Sequence, residues 1–305
     1  MNCVELSDVT KNFGSTTAVA NLSLAVPVGS VYGFIGPNGS GKTTTLRMIT
    51  NILSPDRGTI RVFGEALRGS RSNRLGYLPE ERGLYRRMKV RPFLRFYGEL
   101  KAGRRVDADV ERWIERLQLS EHADKRIEAL SKGTSQRVQF LAAVVAEPEL
   151  VILDEPFSGL DPIHAELLRK VILDLRHSGK TVILSTHDMR VAETMCDFIF
   201  MIFRGCKVLD GTLADIKNRY GADTLRFRTG SGEASRLAGL KGVESVRDLG
   251  RVQELRLTPG ADPQEILRQA LAIDTVHSFE IAQPSLHDIF VGIAGASPRG
   301  DVQDA

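Results

Sequence analysis

Thiols are scarce: Cys3, Cys196 and Cys206 are odd in number and lack C-x-x-C spacing, which argues against a disulfide framework or a zinc site and fits a reducing cytosol. Long apolar runs are missing too. The most apolar stretch, Phe198-Ile199-Phe200-Met201-Ile202-Phe203, falls far short of the roughly 20 residues that span a bilayer as a helix. The start, Met1-Asn2-Cys3-Val4-Glu5-Leu6, has no basic region followed by an apolar one, so no secretory signal is expected and work at a membrane would need another chain as anchor. Charge of one sign does not dominate: 41 basic against 38 acidic residues leave a net charge of +3, which gives no bulk electrostatic case for nucleic acid, and none is expected as a partner. Proline and glycine are not enriched enough for a disordered chain, and no solenoid-type repeat is visible. What remains is a globular composition, 42% hydrophobic and 26% charged, over 305 residues. That length suits a main domain of about two hundred residues with a smaller appendage.

Strand-like runs come early, at 4–9, 18–26 and 31–35, with turn residues Gly14 and Pro27 to Ser30 between them. A glycine-rich stretch leads into a helix, β character returns at 59–63 and 75–78, and the pattern is helical over 91–146. Buried-strand runs at 150–153, 181–184 and 198–203 alternate with helical stretches at 164–177 and from Met189. Alternation of this kind predicts an α/β fold with a parallel sheet covered on both faces. From Ala222 the order is strand 224–229, helix 233–240, strands 243–248 and 252–258, helix 263–272 and strand 275–281, the split-βαβ arrangement of ferredoxin-like domains. A last helix is expected over 285–293 and a frayed polar tail over 296–305.

Gly36-Pro37-Asn38-Gly39-Ser40-Gly41-Lys42-Thr43 fits the phosphate-cradling pattern G-x-x-x-x-G-K-[ST], after a strand and before a helical run, and these residues with Thr44 are the expected nucleotide-binding set. Glycines let successive backbone N–H groups wrap a phosphate, and the helix start adds its dipole. Lys42 is placed to neutralise the β and γ phosphates, and the Thr43 hydroxyl to ligate Mg2+. Leu150-Val151-Ile152-Leu153-Asp154-Glu155 is an apolar strand ending in two carboxylates at the edge where parallel sheets bind ligands. Alone, such a run more often enters a solvated turn. Beside the phosphate loop, Asp154 reads as a holder of the metal through water and Glu155 as the general base.

Leu130-Ser131-Lys132-Gly133-Thr134-Ser135-Gln136-Arg137, shortly before that strand, resembles the signature sequence of the ABC ATPase family. Lys132 stands where the family usually has its first glycine and Thr134 where it has glutamine. The resemblance implies that Ser131 and Gly133 bind the γ-phosphate of ATP held by a second copy of the chain. Ser158-Gly159-Leu160-Asp161 resembles the family's D-loop, so Asp161 is implied in coupling the two copies, and Ser185-Thr186-His187-Asp188 resembles the switch whose histidine contacts the γ-phosphate. Phe13 matches the aromatic that stacks on adenine; an ordinary apolar anchor at a turn is the other reading. Tyr77-Leu78-Pro79-Glu80 falls where the family has a glutamine that touches the metal and answers to a membrane partner, and here Glu80 takes that place.

The resemblance covers nearly the whole chain. Glu81-Arg82-Gly83-Leu84-Tyr85 and Pro284-Ser285-Leu286-His287-Asp288-Ile289-Phe290 are similar to an exporter-type bacterial branch that includes sodium-extrusion and drug-resistance systems. It implies a P-loop NTPase core with an N-terminal antiparallel β subdomain over 1–220, an inserted helical subdomain near 86–146, and an accessory α+β domain over 221–295. It also implies ATP and Mg2+ as cofactors, an integral membrane transporter subunit as partner, and a place on the cytoplasmic face of the cell membrane. Arg82, Arg86, Arg87, Lys89, Arg91 and Arg95 form a basic run that is either a solvated face or a contact for the membrane subunit or anionic lipid. Ribosome-acting members of the family carry two cassettes, and chromosome or repair members interrupt theirs, whereas this chain has one uninterrupted cassette. A regulatory or immunity ATPase without transport is a further alternative.

Overall fold

The computed structural model describes residues 1–67, 73–81, 83–220 and 224–296. They divide into two compact units, one ending at Leu213 and one beginning at Ala214. The first unit runs β1 (Asn2–Phe13), β2 (Thr16–Pro27), β3 (Val31–Ile35), α1 (Lys42–Ile49), β4 (Arg57–Val62), β5 (Glu65–Ala66), β6 (Leu75–Leu78), α2 (Val90–Ala102), α3 (Asp107–Arg116), α4 (Lys132–Val144), β7 (Leu150–Asp154), α5 (Pro162–His177), β8 (Thr181–Thr186), α6 (Met189–Met195), β9 (Phe198–Phe203) and β10 (Cys206–Thr212).

A six-stranded sheet in the order β10-β9-β3-β8-β7-β6 is parallel except at its edge, where β10 pairs antiparallel with β9. Every residue of β3, β7 and β8 is buried, as central parallel strands covered on both faces require, which is why they read as unbroken apolar runs. An antiparallel sheet, β2-β1-β4-β5, carries the N-terminal β region. The sheets share one core in which Leu6, Val26, Phe34, Leu46, Ile152 and Phe200 meet. Because β3, β7 and β8 run side by side in one direction, the residues that follow Ile35, Asp154 and Thr186 emerge at one edge.

The helical block is three helices joined by turns. Gly103 ends α2 in a left-handed conformation, and the stretch before α4 is built of short 3-10 turns. Helix α4 is buried from Thr134 to Val144, all round rather than along one stripe. The second unit follows α7 (Leu213–Arg219) with β11 (Thr224–Thr229), α8 (Ala234–Ala238), β12 (Val243–Asp248), β13 (Gln253–Leu257), α9 (Pro263–Ile273), β14 (Val276–Ala282) and α10 (Leu286–Ala296). Its antiparallel sheet has the order β12-β13-β11-β14, with Leu225, Phe227, Leu255 and Leu257 turned to a core closed by Leu237, Ile266 and Ala270. Three elements were not legible in the sequence: β5, β10 and α7, all short and without a clean apolar period. The break between the two compact units falls between Leu213 and Ala214, at the first residue of α7. Arg82 and the tail from residue 297 lie outside the described residues.

Candidate nucleotide site

The loop after β3 is shaped by close backbone approach. Gly36 has φ 151°, and a Cβ there would stand 2.2 Å from the Ile202 carbonyl oxygen. The loop closes on itself through Ser40 N–H donating to the Pro37 carbonyl (3.2 Å), and Gly205 N–H donates to the Ser40 carbonyl (3.0 Å). Lys42 opens α1 but folds back: only 6% exposed, its Nζ donates to the carbonyls of Gly36 (2.8 Å) and Pro37 (3.1 Å). Burial pulls the ammonium below the usual lysine range, while the carboxylates of Glu155, Asp154 and Glu80 pull it back up. A cavity of about 310 Å3 over this loop is lined by Asn38, Gly39, Gly41, Lys42, Thr43 and Thr44, with Ala18, Glu80 and Glu155 closing its sides.

Asp154 ends β7 at 0% exposure, and neither carboxylate oxygen has a hydrogen-bond partner. Buried oxygens without a donor suit a cation. Among the described residues no three His, Cys, Asp or Glu side chains could hold a metal together. Glu155, 9% exposed, has φ 50°, so the chain turns sharply after the strand; its N–H donates to the Ser185 carbonyl (3.1 Å) on neighbouring β8. The Glu155 side chain faces His187, with Nδ1 of the ring 2.8 Å from Oε1. The strand ends thus bring together residues separated by over a hundred positions.

Ser131, Gly133, Asp161 and Phe13 do not line this cavity. Ser131 caps α4, its Oγ accepting from Thr134 N–H (3.2 Å), and it remains exposed. A Cβ on Gly133 would meet the Gly159 carbonyl at 3.4 Å, which places the start of α4 beside Ser158-Gly159-Leu160-Asp161. Asp161 caps α5, accepting from the N–H groups of Ile163 (3.0 Å) and His164 (3.1 Å) and pairing with the His164 ring (2.5 Å). That ring and those amides hold its carboxyl down to about 2. Phe13 ends β1 with an exposed ring and Lys11 Nζ 5.7 Å from its centroid. In the basic run, Arg91 is paired with Glu111 and Asp124, and Arg95 with Asp107 and Glu111, so these two belong to the solvated network of α2 and α3; Arg86, Arg87 and Lys89 are exposed.

Sequence reasoning missed Ala18, Gln136 and Gln139. The Nε2 of Gln136 donates to the Pro156 carbonyl, and that of Gln139 to the carbonyls of Pro79 and Glu81. No pattern announces the two glutamines, since their partners are backbone atoms distant in sequence, and Ala18 sits unmarked in a strand.

Residues 19–158 match the family model described as ABC transporter, and residues 211–294 match that described as ATP-binding protein DrrA1-3-like, C-terminal domain. The chain belongs to the ABC transporter ATP-binding proteins, and it is an ATPase. It is 38% identical to the uncharacterized ABC transporter ATP-binding protein YhaQ of Bacillus subtilis (strain 168), over 95% of this chain and 98% of that one. It is 32% identical to the daunorubicin/doxorubicin resistance ATP-binding protein DrrA of Streptomyces peucetius, over 96% and 92% of the two chains. The solved structure of an ATP binding subunit of an ABC transporter aligns with a TM-score of 0.67 at 29% identity, covering 72% of this chain and 93% of that one. No helix among the described residues is long and apolar enough to cross a membrane.

Proposed function

We propose that this chain binds ATP over α1, closes with a second copy of itself around two nucleotides, and through their hydrolysis drives an integral membrane subunit of an exporter from the cytoplasmic face of the membrane. The observation that carries the reading is a division of labour. Lys42, Thr43, Thr44, Glu80 and Glu155 line one cavity, while Ser131 and Gly133 stand outside it at a helix start. A cradle in one place and a phosphate-binding helix start in another make a complete site only when two copies face each other.

In that site the loop amides and Lys42 hold the phosphates, and Phe13 supplies a π face for adenine. Thr43, Asp154 and Glu80 would hold Mg2+, which when bound offsets phosphate charge. Glu155 orients the attacking water and takes its proton, and the His187 contact keeps that carboxylate aimed. A groove of about 420 Å3, lined by Arg47, Ile52, Leu67, Tyr77, Tyr97 and Lys101 and bordered by Pro79 and Glu81, supports a seat for the membrane subunit beside Glu80. The lean to export rests on the resistance relative and on the C-terminal match. The test is ATP turnover by the purified chain, alone and reconstituted with the membrane protein encoded beside it. Lys42→Ala should remove most turnover, and the partner should stimulate it. Turnover unchanged by Lys42→Ala would sink the assignment.

A further inference from the structure

We infer that Gln139, with Gln136 one turn before it, is a positioning residue that ties α4 to the loop carrying Glu80 and thereby sets how that carboxylate meets the metal–nucleotide complex. The inference rests on the ATP reading above. Gln139 is 5% exposed, and its Nε2 donates to the carbonyls of Pro79 (3.2 Å) and Glu81 (3.1 Å). Those carbonyls flank Glu80, so a single amide brackets the residue that lines the cavity. Gln136, also 5% exposed, donates to the carbonyl of Pro156 (3.2 Å), the residue directly after Glu155. Three positions apart, the two glutamines share a helix face. One face of α4 therefore grips both loops that deliver carboxylates to the cavity, while Ser131 caps the same helix at its exposed start.

Packing alone does not account for glutamine at 139. Its Oε1 is buried with no hydrogen-bond partner, which is destabilising, and methionine would fill the space without that penalty. Both donor bonds go to the Glu80 loop, and carbonyls accept only from the NH2 side, so the amide's orientation is set by that loop. Glu80 itself is exposed at the cavity edge and takes its direction from the backbone that Gln139 holds. Any shift of α4 as its capped start meets a second copy is passed by this brace to Glu80.

The test reads binding with the full chain and a non-hydrolysable ATP analogue, comparing Kd in Mg2+ with Kd in EDTA. Gln139→Met keeps length and packing but deletes both bonds. Affinity in EDTA should stay within about twofold of wild type, and the Mg2+-dependent gain should fall about tenfold, the scale for losing an outer-shell support of a metal site. In a Glu80→Ala background, Gln139→Met should change the gain by less than about twofold, because the residue it aims is gone. An undiminished gain in Gln139→Met, equal losses in both backgrounds, or a full gain in Glu80→Ala would each overturn the inference. If Gln139→Met does not fold, amide exchange on the wild type decides: Mg2+ with the analogue should slow segments 75–81 and 136–144 together, and protection of only one overturns it. A wild type that binds no analogue would instead refute the ATP reading.

Discussion

Two glycines of the phosphate loop should respond very differently to one added methyl group. At Gly36 an alanine Cβ would lie 2.2 Å from the Ile202 carbonyl oxygen and 2.9 Å from Ser40 Oγ, at φ 151°. An ordinary contact is near about 3.5 Å, so loop or strand backbone must move by about 1 Å. Backbone strain of about 1–3 kcal/mol and overpacking of similar size put the loss near 4 kcal/mol. For a unit of this length that lowers Tm by about 8–16 °C. The same shift displaces the carbonyl that holds Lys42 Nζ at 2.8 Å, so nucleotide affinity should fall with stability. At Gly39 the φ is 76° and an added Cβ meets nothing within 4 Å, leaving only the left-handed penalty. That is about 1–2 kcal/mol, or about 2–8 °C. Thermal melts of Gly36→Ala and Gly39→Ala in EDTA, followed by nucleotide titration, check the ranking. Equal Tm losses, or a larger loss for Gly39→Ala, would refute the steric argument.

Glu155→Gln should still bind ATP but lower turnover by about 10²–10⁴-fold, since the amide cannot take the water's proton, and should accumulate as an ATP-dependent dimer on gel filtration. A monomer at wild-type rate contradicts both parts. Ser131→Arg should bind ATP as tightly as wild type and fail to dimerise; an affinity loss matching Lys42→Ala would place the signature in its own chain's site. The folded Asp161 carboxyl is depressed to about 2, so its stabilisation is full above the unfolded value of about 4 and is lost as pH falls through about 2. Asp161→Ala should accordingly melt below wild type at pH 7, with the gap closing between about pH 4 and 2. A gap independent of pH would leave backbone capping unconnected to the charge.

The chemistry-bearing segments were legible because each is local. The run from Gly36 to Thr43 is one loop, Asp154 and Glu155 follow one apolar strand, and buried parallel strands announce themselves as uninterrupted hydrophobic runs. The βαββαβ pattern of the second unit was legible for the same reason, each element carrying its own period. β5, β10 and α7 were not: β5 is two residues long, and the polar-rich runs of β10 and α7 carry no clean apolar period. By itself the sequence determined which residue types stand at strand ends and helix starts, and hence the α/β class and the glycine-rich loop that is proposed to cradle phosphate. Only the tertiary structure decided that Asp154 is sealed without a donor, that Glu155 meets His187 across neighbouring strands, and that Gln136 and Gln139 hold backbone carbonyls of two distant loops. Every peptide unit carries the same carbonyl, so which one a side chain reaches leaves no mark on residue identity. Likewise the letter glycine records only a missing Cβ; whether a neighbouring carbonyl occupies that space, as at Gly36, or nothing does, as at Gly39, is settled by how the strands pack.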